Sequence, residues 1–153
     1  MKYNRILITG GAGFIGSNTA LALVRRGFRV RVLDNLSPQI HGHNAEIDSP
    51  LFASIKGKVE FIRGSVTSRQ DWLEALEDVD AVVHLAAETG TGQSMYEIEK
   101  YVNTNIGGTA ILLDILANEK NNVKRVVVSE SRAIYGEGRY WSNELKDYVY
   151  PDS

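Results

Sequence analysis

Seven residues near the N-terminus, Gly10-Gly11-Ala12-Gly13-Phe14-Ile15-Gly16, follow the apolar run Ile6-Leu7-Ile8-Thr9 and precede a run of good helix formers. This order of strand, glycine-rich turn and helix constrains the fold more than any other part of the chain. Glycine has no β-carbon, so Gly10 can make the tight turn and Gly16 can let the helix pack closely on the strand. Gly13 leaves the backbone open to a ligand. The helix is carried by Ala20-Leu21-Ala22-Leu23-Val24 and closes at Arg25-Arg26-Gly27, where cations meet its negative end and glycine supplies the left-handed stop.

Such a turn presents unpaired backbone N–H groups at the positive end of a helix, and both favour a diphosphate. Gly10, Gly13, Phe14, Ile15 and Gly16 are therefore candidate binding residues. A second strand carrying Val30, Val32 and Leu33 ends in Asp34. That carboxylate falls about 20 residues after the glycines, where a dinucleotide-binding domain places the acceptor for the adenosine ribose hydroxyls. It would repel a phosphate on that ribose, and Asn35-Leu36-Ser37 supplies no arginine to receive one. The expected cofactor is NAD. The competing reading of Asp34 is an ordinary solvated strand end.

A chain of 153 residues with 43% hydrophobic side chains is one domain's worth, with enough apolar surface for a core. With 17 basic and 19 acidic residues there is no electrostatic reason to expect nucleic acid. Cysteine is absent and the three histidines are unclustered, so no metal site is expected. His41 and His43 fall in the polar stretch 37–50, read as a surface loop with both rings solvated. No apolar run approaches the roughly 20 residues that span a bilayer, and the first strand starts almost at once. No membrane partner and a cytoplasmic location are the expectations.

Further along, Lys58-Val59-Glu60-Phe61-Ile62 alternates as a third strand, and Ser68, three residues before Asp71, can cap a helix carrying Trp72, Leu73 and Leu76. Ala81-Val82-Val83-His84-Leu85 reads as a fourth strand, about 94–119 as one long helix, and Val126-Val127-Val128 as a fifth strand. Apolar strands alternating with helices imply a doubly wound parallel sheet with helices on both faces and right-handed crossovers. Ligands then bind outside the carboxyl ends of the strands, where the strand order reverses. Four segments meet at that rim: Gly10 to Gly16, Asp34-Asn35, Leu85 to Thr89, and Ser129 to Tyr135.

Taken together, these segments resemble the extended short-chain dehydrogenase/reductase family, specifically its nucleotide-sugar epimerases and dehydratases such as UDP-glucose 4-epimerase. Gly10-x-x-Gly13-x-x-Gly16 has the family's spacing, and Asp34-Asn35-Leu36-Ser37 is similar to its ribose-binding segment. His84-Leu85-Ala86-Ala87 resembles the strand-end motif lying along the cofactor, with Thr89 just beyond. Asn103-x-Asn105 with Gly108-Thr109 is similar to its long-helix motif, and the fifth-strand motif is matched by Ser129 to Gly136. The resemblance implies an α/β Rossmann-type domain over residues 1–153, NAD as cofactor, a nucleotide-sugar substrate, and Ser131 as catalytic serine. Ser65 and Val66 stand where the family binds adenine, although it usually has an aspartate there. Asn105 and Ser129 are its other cofactor-binding positions, and a homodimer through the long helix is the assembly it allows.

In the resembled enzymes a tyrosine, with a lysine four residues later, takes a proton from a sugar hydroxyl while hydride passes to the nicotinamide. Unperturbed tyrosine has a pKa of about 10, so it needs that cation to act as a base. No Tyr-x-x-x-Lys follows Ser131, and the one at Tyr96 and Lys100 precedes Asn105, the wrong side for the family's order. It is read as a solvated pair on the long helix. The expectation is a sheet truncated after about its fifth strand, inactive by itself, from a longer enzyme. A non-catalytic NAD-binding regulatory module is the alternative.

Overall fold

The computed structural model describes residues 3–130 and 138–150. Five parallel strands form one sheet: β1 (Arg5–Thr9), β2 (Arg29–Asp34), β3 (Glu60–Arg63), β4 (Ala81–His84) and β5 (Arg125–Val128). Their spatial order is β3-β2-β1-β4-β5, so the direction of winding reverses between β1 and β4. The doubly wound Rossmann-type reading is correct. The register pairs Ile8 with both Val32 and Val83, and Thr9 with both Leu33 and His84. β1 and β4 therefore end level at one rim, and β2 runs one residue further, to Asp34.

Alternation along the strands feeds two cores. Leu7, Leu33 and Val82 point to one face and pack with Trp72, Leu76, Leu112 and Ile115. These come from α5 (Arg69–Leu76) and α8 (Gly108–Asn118). Ile8, Val30 and Val32 point to the other face and meet Ala20, Phe52 and Ile55, from α1 (Phe14–Arg25) and α4 (Pro50–Ile55). A strand buried on both faces favours apolar residues on each, so β1 and β4 read as near-continuous apolar runs, and buried polar side chains such as Arg31 of β2 and His84 of β4 are hydrogen-bonded. Ser68 caps α5 as anticipated, accepting from the Asp71 N–H at 3.3 Å. On β5, Val127 and Val128 are about half exposed, and β4 is its strand neighbour among the described residues.

Three expectations need correction. The stretch 37–50 is no plain loop: it holds α2 (Pro38–His41) and α3 (Ala45–Asp48) and leads into α4. His41 is not solvated. It is buried, with Nδ1 2.8 Å from the hydroxyl of Ser49, itself the N-cap of α4. The long helix is interrupted, running as α6 (Thr91–Ser94), α7 (Ile98–Tyr101), a π segment at Val102–Gly107 and then α8. Gly107 ends the wider turn and Gly108 begins α8, packed so close to Val66 that a β-carbon would lie 2.8 Å from its methyl.

An antiparallel hairpin was not anticipated: β6 (Tyr140–Ser142) pairs with β7 (Asp147–Val149). Its aromatic residues explain it, since Trp141 and Tyr148 meet edge to face at 5.2 Å and Arg139 lies 4.2 Å over the Tyr148 ring. No helix among the described residues is long and apolar enough to cross a membrane.

Candidate functional site: a crevice at the switch in strand order

The glycine-rich turn leaves β1 and enters α1 above the gap between β1 and β4. Gly10 sits at φ +64 and donates to the Leu33 carbonyl at 3.0 Å. Its missing β-carbon is required twice over. A β-carbon there would lie 2.8 Å from the Ala86 nitrogen, so the turn is packed directly on the chain leaving β4. Gly16 is equally constrained, since a β-carbon would lie 2.6 Å from the Gly11 Cα. Gly13 is the N-cap of the 12-residue α1, and no side chain caps it. The first intrahelical bond is from Ser17 N–H to the Gly13 carbonyl. Phe14 and Ile15, at the head of the helix, are exposed. This is a helix terminus open to an anion.

Asp34 closes one side. Only 8% exposed, it accepts from Ala12 N–H at Oδ2 and from Leu36 N–H at Oδ1, both at 2.9 Å. It therefore braces the turn as well as ending β2. A carboxylate offers about four lone-pair positions, so two remain for a ligand hydroxyl. Asn35 turns its side-chain oxygen back to Ser37 N–H at 3.0 Å. Ser65 lies in the turn after β3, where Asp71 accepts its N–H at 2.7 Å and Thr67 meets its hydroxyl at 2.8 Å. Val66 is buried and packs between Gly108 and Trp72, whose indole N–H reaches its carbonyl at 2.7 Å.

The opposite wall is the chain after β4. Leu85 and Ala86 donate their N–H groups to the hydroxyl of Thr9, and the Asn105 side chain clamps both the N–H and the carbonyl of Glu88, at 2.8 and 3.1 Å. Ala87 and Thr89 are exposed along this wall, and Tyr101 donates to the Thr89 carbonyl at 2.7 Å. Ser129, past β5, donates from N–H to the His84 carbonyl at 3.2 Å. Ser131 and Tyr135 lie outside the described residues.

The sequence reading left Thr9, Asp71 and Tyr101 without a site role and gave His84 only as the first residue of the strand-end motif. Each holds a crevice wall through its polar atoms. Only Thr9 carried a hint, as a polar residue ending an otherwise apolar strand. Tyr96 is almost fully exposed, and Lys100 pairs with Glu97 and Glu88 at 3.0 and 3.2 Å. Glu88 lies in the loop after β4, so Lys100 is tied to that loop, while the Tyr96 side chain faces outward.

A doubly wound sheet with an uncapped, glycine-headed helix at its switch point and a buried carboxylate at the tip of the second strand is a dinucleotide-binding domain. Residues 6–151 match the model of the NAD dependent epimerase/dehydratase family, and the chain belongs to that family. It is 39% identical over 149 residues to dTDP-L-rhamnose 4-epimerase of Burkholderia thailandensis, covering 96% of this chain and 39% of that one. Among solved structures it resembles UDP-glucuronic acid 4-epimerase from Bacillus cereus in complex with UDP-glucuronic acid and NAD, with TM-score 0.74 and 29% identity. That match covers 95% of this chain and 46% of the other. UDP-glucose 4-epimerase from Brucella ovis, in complex with NAD, matches with TM-score 0.68 and 35% identity over 87% of this chain and 37% of that one. The chain thus spans about two fifths of the length of the curated relatives it matches.

Proposed function

We propose that residues 1–153 are the NAD-binding domain of a nucleotide-sugar epimerase or dehydratase. The observation that carries this reading is the head of α1: Gly13 as N-cap with no side-chain cap, facing the strand-order switch beside Asp34. The N–H groups of Phe14, Ile15 and Gly16 would face the pyrophosphate, with Gly10 shaping the turn and accepting the Gly13 N–H so that Gly13 leaves its backbone open to the phosphates. Asp34 and Asn35 would receive the adenosine ribose, and Ser65 and Val66 the adenine edge. Leu85, Ala86, Ala87 and Thr89 would line the dinucleotide, with Asn105 and Ser129 holding that wall. The group fits, because the turn leaves donors at the helix head and an acceptor with spare lone pairs at Asp34.

Bound NAD supplies a hydride acceptor that oxidises a sugar carbinol and later returns the hydride. Within this chain Ser131 is the residue proposed to steady the reacting oxygen, as the family resemblance implies. The nucleotide-sugar substrate follows from the relatives' activities, and the chain alone is proposed to lack turnover. A homodimer through 94–119 is also proposed. The exposed Met95, Ile98, Val102, Ile106 and Leu113 along that stretch support it, and sedimentation of the chain as a monomer at tens of micromolar would refute it.

Calorimetric titration with NAD and NADP tests the main proposal. NAD should bind and NADP should bind at least about tenfold more weakly, the order a buried carboxylate imposes on an added phosphate. Tighter NADP binding would refute the reading of Asp34, and no binding of either at millimolar concentration would refute the cofactor site.

A further inference from the structure

His84, the last residue of β4, uses both ring nitrogens. Nδ1 lies 2.7 Å from the hydroxyl of Thr9, and Nε2 lies 3.1 Å from the hydroxyl of Thr109. The protons can be assigned from the partners. Thr109 Oγ1 donates to the Asn105 carbonyl at 2.9 Å, so it is free only to accept from the ring. Thr9 Oγ1 accepts from Ala86 N–H at 3.1 Å and shares the Leu85 N–H, at 3.2 Å, with the Thr9 carbonyl, so its own proton goes to Nδ1. One arrangement satisfies every group: neutral imidazole, protonated on Nε2. The other tautomer would crowd three donors onto Thr9 Oγ1 and leave that hydroxyl's proton without an acceptor.

The consequence reaches the crevice through backbone. The Leu85-Ala86 peptide held by Thr9 is the one packed on Gly10, where space is too small for a β-carbon. On the other side, Thr109 engages Asn105 inside the π segment, and Asn105 clamps Glu88. Asn105, which reaches Glu88, lies in this π segment, and Thr109, which meets His84, lies in the first turn of α8 just after it.

We propose that His84 is a positioning residue for dinucleotide binding: its Nε2–H tautomer orders the hydroxyls of Thr9 and Thr109, which hold the loop after β4 against the glycine turn. The inference rests on the reading of that turn as the NAD site. The ring is buried, meets the Trp72 ring at 5.4 Å with the planes inclined by 56°, and has no carboxylate or cation among its hydrogen-bond partners. Burial pushes its pKa below the ordinary 6.5, which favours the neutral form the network needs.

Thr109→Val and Thr109→Ser separate hydroxyl from packing, since valine keeps the shape and serine keeps the acceptor. In calorimetric titration, Thr109→Val should bind NAD about tenfold more weakly than wild type, the order expected for a buried donor left unpaired, while Thr109→Ser stays within about threefold. Equal affinity of Thr109→Val and wild type, or equal losses in both variants, would overturn the inference. ¹⁵N spectra of the wild-type chain should show His84 protonated at Nε2 and bare at Nδ1 at neutral pH. The opposite tautomer would overturn it even if Thr109→Val failed to fold. A wild-type chain that bound no NAD would instead overturn the cofactor reading beneath it.

Discussion

Two glycines of similar backbone conformation differ in what surrounds them, and together they isolate the packing of the glycine turn on β4. Gly27 has φ +83 with nothing within 4 Å of a β-carbon, whereas Gly10 has φ +64 with the Ala86 nitrogen at 2.8 Å and its Cα at 2.9 Å. Gly27→Ala should therefore cost only the left-handed strain, about 1 kcal/mol. Gly10→Ala carries the same strain plus about 1–3 kcal/mol for forcing a methyl against backbone that cannot rotate away, roughly 2–4 in all. Domains of this size have about 5–15 kcal/mol in reserve, so both variants should remain folded and measurable. Urea unfolding followed by circular dichroism gives the two midpoints, with an unchanged slope showing that the same surface is exposed. NAD affinity should fall with Gly10→Ala and not with Gly27→Ala. If the two variants unfolded within about 0.5 kcal/mol of each other, the Ala86 backbone would not be seated on the turn, and the account of the crevice wall would fail.

Asp80 accepts from the N–H groups of Asn4 and Arg5 and from Lys124, and these bonds hold its carboxyl down to about 2 from the ordinary 3.8. A depressed folded value means its stabilisation is present above 3.8 and lost as pH falls toward 2, so Asp80→Asn should flatten the decline in Tm over that window. An unchanged slope would show that the anchor does not form. Arg31, buried and donating to the carbonyls of Glu74, Ala75 and Glu77, ties β2 to the end of α5. Arg31→Met should lower stability by about 1–3 kcal/mol in denaturant titration, and no loss would mean those carbonyls find other donors. Tyr96→Phe should leave NAD affinity and Tm unchanged, and a large loss of affinity would restore Tyr96 as a site residue.

How much of this was legible in the residues depends on the range of the interaction. The strands, the turn and the Ser68 cap rest on spacings of one to four residues, and a sequence displays those directly. The place of Asp34 at the tip of β2 beside the glycine turn was legible because its distance from the glycines follows from one strand-helix-strand unit. Its bonds to Ala12 and Leu36 were not, since nothing local says which way a strand-end carboxylate turns. His41 looked solvated among polar neighbours, yet α4 folds Ser49 onto it across eight residues. The His84 network was hidden for the same reason: Thr9, His84 and Thr109 are 75 and 25 residues apart and meet only when β1, β4 and α8 have assembled. The π segment carried only the faint sign of paired glycines after Asn105.

Asp34 shows why the crevice must be probed with ligands as well as substitutions. Its two oxygens accept from Ala12 and Leu36 at equal distances, on the turn and on the segment after β2. In Asp34→Asn a single amide oxygen can keep one of those N–H groups, and the other meets an NH₂ donor, a loss of about 1–3 kcal/mol before any cofactor is added. Weaker NAD binding by that variant would then mix a distorted turn with a missing ribose acceptor, and it could not assign either. Changing the ligand leaves the turn intact. NAD and NADP differ only in the phosphate that would approach this carboxylate, so their affinity ratio reports the charge that phosphate meets at Asp34 and the His41 ring 3.8 Å from it, while the unfolding midpoint of Asp34→Asn reports the brace.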